Sequence, residues 1–140
     1  GWLTRIAMKQ ILYICGEHRL AQMHRGLPLD LADLEREAAG NLRQSFAVIG
    51  ILDDFDDFYG MVDQRLAYMD TTLNPGVTGM RHAGGFSDDK EWCKARFKDP
   101  AFQQELMVAS PEYGMLVRLY EVAVKVNAFQ KEELASCAAP

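Results

Sequence analysis

An uninterrupted apolar hexapeptide, residues 46–51 (Phe-Ala-Val-Ile-Gly-Ile), constrains the fold more than any other feature of the sequence. The stretch before it, residues 34–42, is amphipathic, and the stretch after it opens with four carboxylates among residues 53–57. An apolar run without alternation is typical of a strand that is buried on both faces of a parallel sheet. The order helix, strand, helix therefore predicts an α/β unit in which residues 46–51 form one central parallel strand.

Helical spacing of apolar residues recurs along most of the chain. It predicts helices over residues 3–15, 30–42 and 54–69, with one or two short helices between residues 88 and 107. A final helix begins at Ser110-Pro111-Glu112, because serine caps a helix, proline suits its first position and an acid complements its dipole. The predicted fold class is accordingly α/β with helices dominating.

Two segments lack this periodicity and are predicted to be loops. Residues 17–28 are polar and are interrupted by a glycine and a proline. Residues 70–90 are polar and rich in glycine and hydroxyl side chains, which predicts a flexible loop of a length that is usually functional. The 140 residues fit a single domain, or the C-terminal part of one, and no interdomain linker is evident.

Composition restricts the kinds of partner. Twenty acidic and 15 basic residues give a net charge of -5, which argues against general nucleic-acid binding because phosphates are held by clustered Lys and Arg. No apolar run approaches the ~20 residues that span a bilayer. The three cysteines, Cys15, Cys93 and Cys137, are far apart and lack CxxC spacing, which argues against a zinc site.

Several short motifs follow one another in a recognisable order along the chain. They are Trp2-Leu3-Thr4 to Cys15-Gly16, Leu34-Glu35-Arg36 with Asn41-Leu42, the apolar run 46–51, the polar loop 70–90, and Leu119-Tyr120-Glu121-Val122-Ala123. In this order they resemble the C-terminal part of the Golgi carbohydrate sulfotransferases, the family that includes heparan sulfate 2-O-sulfotransferase. The resemblance implies the C-terminal portion of a P-loop-like sulfotransferase fold. It departs at Leu52-Asp53, where the family has Thr-Glu.

The resemblance also implies a function, which is transfer of a sulfuryl group from 3′-phosphoadenylyl sulfate to a carbohydrate hydroxyl in the Golgi lumen, without a metal ion. In the family, the loop that corresponds to residues 70–90 folds over the nucleotide and contacts the acceptor sugar. Arg81, Ser87 and Lys90 are the implied donor-binding residues, and Arg81 and His82 are the implied acceptor-binding residues.

The sequence lacks the family's glycine-rich turn with Lys and Thr, which cradles the phosphosulfate. Sulfuryl transfer needs such backbone amides and a lysine to stabilise charge on the leaving phosphate, and a base for the acceptor proton. No catalytic residue is therefore assigned, and the donor-binding half of the enzyme is expected to lie outside these residues.

Two alternative interpretations remain open. A protein that keeps this helical layer without the catalytic half would be a non-catalytic accessory or structural subunit of a larger assembly, and a neighbouring chain would then supply strands beside residues 46–51. Separately, Asp53-Asp54-Phe55-Asp56-Asp57 has the DDxxD spacing with which some enzymes hold Mg²⁺. The simpler interpretation is that these carboxylates complement the positive end of a helix dipole.

Overall fold

The computed structural model of the protein describes residues 1–52, 55–66, 68–69 and 88–138. Within these ranges the elements are helices, in the order α1 (Trp2–Cys15), α2 (Glu17–His24), α3 (Leu31–Gln44), α4 (Phe55–Arg65), α5 (Asp88–Lys98), α6 (Pro100–Ala109) and α7 (Pro111–Ala138). No strand occurs in the described part of the chain. The prediction of an α/β fold with a central parallel strand is therefore wrong, because every regular element of the described residues is a helix.

The hydrophobic core lies where α1, α3 and α7 pack against one another. Around it, α2 packs on α1, α4 and α6 each contact α7, and α5 contacts α6. Each of the three central helices has an apolar stripe at helical spacing, so the three stripes can meet along one line. The largest fully buried side chains come from these stripes and are Ile11, Leu12, Leu34, Met115 and Leu119.

Side-chain caps fix the starts of two of the three central helices. Asp30 accepts a hydrogen bond from the Asp33 N–H at 2.8 Å at the start of α3. Ser110 Oγ accepts one from the Tyr113 N–H at 3.2 Å at the start of α7. These bonds satisfy backbone donors that the first turn of a helix leaves without a partner. The helix starts predicted at Asp30 and Ser110 are confirmed.

Several predicted boundaries differ from the structure. Residues 17–24, predicted to be a loop, form α2, which follows α1 directly because Gly16 adopts a φ of 106° and redirects the chain. Helix α4 ends at Arg65 instead of near Met69, and the Met69 side chain is 47% exposed. Of the predicted loop 70–90, residues 70–87 lie outside the described ranges, and the last three residues begin α5.

The apolar run 46–51 crosses the helical core without forming regular secondary structure. Ile49 and Ile51 are each only 8% exposed, whereas Phe46 is 42% exposed, and Leu52, the residue that follows the run, is 82% exposed. One side of the run therefore packs on the helices, while the other side faces outward. The prediction that this run is buried on both faces is wrong.

Gly50 lies directly against the aromatic ring of Phe58 in α4. A Cβ atom built on Gly50 would lie 2.5 Å from Phe58 Cδ2 and 2.8 Å from Phe58 Cγ, distances that carbon atoms do not adopt without displacement. By contrast, a Cβ built on Gly40, within α3, meets no other atom within 4 Å. The two glycines therefore offer a matched test of how residues 46–51 pack on α4.

We expect Gly50→Ala to lower the free energy of unfolding by about 1–3 kcal/mol, because the added methyl group overpacks the contact with Phe58. Gly40→Ala should raise it by about 0.5–1 kcal/mol, because alanine costs less conformational entropy within a helix. Urea denaturation followed by circular dichroism measures both changes. Stabilisation by Gly50→Ala equal to that by Gly40→Ala would show that the ring does not lie against residue 50.

Candidate functional site

Most of the residues that were predicted to contact the donor and the acceptor lie outside the described ranges. This applies to Arg81, His82 and Ser87, so their assignments stay predictions. Lys90 belongs to the first turn of α5 by its backbone. Lys90 is the last residue of the predicted loop 70–90, and its assignment also stays a prediction.

The acidic motif at the start of α4 has one carboxylate whose surroundings are described. Asp57 Oδ2 accepts a hydrogen bond from Lys131 Nζ of α7 at 2.9 Å. Asp53 and Asp54, and the side chain of Asp56, lie outside the described part of the structure. The observed role of Asp57 is thus to join α4 to α7 through an ion pair.

Two side-chain amides of α7 hold the apolar run 46–51 against the core. Asn127 Nδ2 donates a hydrogen bond to the Ile49 carbonyl at 2.8 Å. The Ile49 N–H donates to Gln130 Oε1 at 2.9 Å, and Gln130 Nε2 donates to the Phe46 carbonyl at 3.1 Å. We name Asn127 and Gln130 the amide clamp, because they bind this backbone as a neighbouring strand would.

Burial explains why the amide clamp is needed. Asn127 and Gln130 are each 5% exposed, and the backbone groups of Ile49 are buried beside them. A buried N–H or carbonyl group without a partner costs about 1–3 kcal/mol. Residues 127 and 130 are three apart and so lie on one face of α7. One helix can therefore bind both the N–H group and the carbonyl group of Ile49.

The sequence analysis assigns no role to Asn127 or to Gln130. The available signal was the position of these amides, since they occupy a stripe that is otherwise apolar. Buried polar side chains have hydrogen-bond partners in nearly all proteins. An amide on a buried helix face therefore indicates a nearby backbone segment that lacks one.

Four of the five motifs quoted from the sequence meet at this place, whereas residues 70–87 of the fifth, the loop 70–90, lie outside the described residues. Leu12 of α1, Leu34 of α3, Ile49 of the apolar run and Leu119 of α7 belong to one buried cluster. Ile49 and Asn127 are in direct contact although 78 residues separate them. These four motifs are thus parts of one packed unit, to which α5 and α6 are peripheral.

Ion pairs fix the helices around this unit. Arg118 of α7 donates two hydrogen bonds to the Glu35 carboxylate of α3, at 2.6 and 2.8 Å. The hydrogen bonds from Arg118 lower the pKa of Glu35, and the same interaction raises the pKa of Arg118. Arg19 of α2 similarly donates to Glu37 of α3 at 2.7 Å. These pairs set the orientation of α2 and α7 relative to α3.

The buried thiol of Cys15 lies close to the same helices. It is 3% exposed and donates to the Leu34 carbonyl at 3.5 Å. Burial, followed by the charge of Glu37, raises the pKa of Cys15 to about 11. Cys15 packs as a small apolar side chain, and because the thiolate is the reactive form of cysteine, its burial and raised pKa both disfavour reaction at this thiol.

A groove runs along α7 beside the C-terminal end of α3. Two cavities of about 340 and 460 Å³ adjoin there, and Arg43, Val126 and Phe129 line both of them. Val122 and Lys125 complete the first cavity, and the second extends to the segment from residue 44 to 47. We name this feature the α3–α7 groove. The amide clamp borders it, since Gln130 also lines the second cavity.

Comparison with models of protein families, with curated proteins and with solved structures finds no match to this chain. Functional interpretation therefore depends on the residues and on their geometry. Within the part of the chain that the structure describes, none of the helices combines the length and the hydropathy that crossing a membrane requires.

We expect Asn127→Ala and Gln130→Ala each to lower the free energy of unfolding by about 1–3 kcal/mol, because each leaves a backbone group of Ile49 buried without its partner. A matched control is Gln103→Ala, which removes an exposed amide hydrogen bond of 2.7 Å to the Phe97 carbonyl. The control variant should lower the free energy of unfolding by less than about 0.5 kcal/mol. Chemical denaturation measures all three, and clamp variants as stable as the control would contradict the assignment.

Proposed function

We propose that the chain is the helical layer of a sulfotransferase-like protein whose donor-binding half lies outside these residues. The observation that supports this proposal is that four of the motifs described above pack against one another. Segments from α1, α3, the apolar run and α7 resemble the family in order along the chain, and they pack together into one buried cluster.

The proposed contribution of this chain to sulfuryl transfer is binding and positioning. Arg19, Arg65 and Arg118 are each paired with a carboxylate, so we propose no donor contact for these three arginines. We therefore assign no catalytic step to the described residues. Donor contacts are proposed for Arg81, Ser87 and Lys90, and contacts with a carbohydrate acceptor for Arg81 and His82. Location in the Golgi lumen belongs to the same proposal.

A second candidate is a non-catalytic accessory subunit of a larger assembly. The observation that favours it is the exposure of large apolar side chains, among them Leu52, which directly follows the apolar run and is 82% exposed, and Trp2 of α1, which is 67% exposed. Where such side chains form a contiguous patch, the patch is characteristic of a region that another protein covers. Under this candidate, the helical layer would bind a partner and would not contact a nucleotide.

Titration calorimetry with 3′-phosphoadenosine 5′-phosphate separates the two candidates. The full natural protein is expected to bind this product nucleotide, and the 140-residue chain is expected to bind it weakly or not at all. In the full protein, Arg81→Ala and Lys90→Ala should each weaken binding about tenfold, which corresponds to ~1.4 kcal/mol. Lys98→Ala is the matched control on the same helix as Lys90, and it should leave the affinity unchanged.

The outcomes of the titration test the choice between the candidates and the assigned donor contacts separately. Absence of nucleotide binding by the full natural protein would contradict the sulfotransferase proposal. Binding that neither Arg81→Ala nor Lys90→Ala weakens would contradict the residue assignments alone. An intact mass of the natural protein close to the 15.8 kDa of these residues, without nucleotide binding, would favour the accessory subunit.

A further inference from the structure

Two cations line the α3–α7 groove without a carboxylate partner among the described residues. Arg43 lies in the last turn of α3, and Lys125 lies within α7. Glu133 also lines the groove, but its carboxylate accepts a hydrogen bond from Arg65 at 2.9 Å. Like charges that share one cavity repel each other, and an anionic group placed between them removes that repulsion.

This arrangement differs from other described helix junctions. There, Arg19, Arg118 and Lys131 each bind a carboxylate of the neighbouring helix at 2.6 to 2.9 Å. The chain has an excess of acids, with 20 acidic and 15 basic residues, so unpaired cations in a groove are not a consequence of its composition. The charge of the groove is therefore complementary to an acidic partner.

Part of the floor of the groove is apolar, and the α7 side chains that form this part have the spacing of a helix face. Val122, Val126 and Phe129 of α7 line it, and Phe129 is 60% exposed. At the other end Phe46 lines the second cavity and is 42% exposed. An amphipathic helix binds by placing its apolar face, with anchors at intervals of three and four residues, against an apolar surface of this kind. A free anion or a sulfated sugar would leave this apolar floor uncovered.

We propose that the α3–α7 groove binds an acidic amphipathic helix of a partner protein. Apolar side chains of that helix cover Phe129 and Phe46, and its carboxylates pair with Arg43 and Lys125. The groove is preformed, because Gln130 fixes the backbone of Phe46 and the pair of Arg118 and Glu35 fixes α3 on α7. This inference is independent of the sulfotransferase proposal, since it uses none of residues 81–90.

The test uses the 140-residue chain and two labelled helical peptides of about 16 residues, or roughly four turns. Both peptides carry leucines at three- and four-residue spacing, and one has glutamates beside them where the other has lysines. Fluorescence anisotropy should show that the acidic peptide binds at least about tenfold more tightly. Lys125→Glu and Arg43→Gln should each weaken its binding, whereas Lys98→Glu, on exposed α5, should not. Circular dichroism verifies that each variant is folded.

Further outcomes decide the proposal. A gain in affinity of the lysine peptide for the Lys125→Glu variant would support it, because the charges are then complementary again. Amide chemical-shift changes confined to residues 43–47 and 122–130 would place the peptide in the groove. Equal affinities for the two peptides, or failure of the acidic peptide to bind, would overturn the proposal. Binding of heparin or of anionic vesicles without binding of the acidic peptide would also overturn it.

Discussion

The rest of the structure depends on how α7 satisfies the backbone of residues 46–51. This segment brings two isoleucines onto the helical core, and burial of such a side chain contributes about 1.5–3 kcal/mol. The same burial removes the Ile49 peptide from water, and two unpaired backbone groups would offset much of that gain. Asn127 and Gln130 satisfy these backbone groups, and the carbonyl of Phe46, with three hydrogen bonds of 2.8 to 3.1 Å. The amide clamp also positions Gly50 against Phe58 and fixes one wall of the α3–α7 groove.

Much of the helical architecture could be predicted, because its signals are local. Neighbouring residues alone determine the helix caps at Asp30 and Ser110. The same is true of the apolar stripes of α1, α3 and α7. Helix α2 could not be found this way, since it is short and polar and Arg19 binds a carboxylate 18 residues away. The strand prediction failed because an apolar run indicates burial without indicating what buries it.

The candidate site shows the same division between local and distant information. The amides that hold Ile49 lie 78 and 81 residues further along the chain, and no pattern near residue 49 specifies them. The α3–α7 groove likewise joins Arg43 to a helix that begins at Pro111, so its charge and its apolar floor become visible only in the folded chain. The proposed sulfotransferase role and the proposed acidic partner concern different residues, so each can be tested without the other.

Amide hydrogen exchange, resolved for residues 48–51 by NMR, tests the clamp most directly. Our account predicts slow exchange at the Ile49 N–H and fast exchange at the N–H groups of Val48 and Gly50. In Gln130→Ala the protection of Ile49 should disappear, while core amides such as that of Leu119 remain protected. Continuous protection across residues 48–51 that persists in Gln130→Ala would contradict the account, because a backbone ladder would then hold the segment in place of α7.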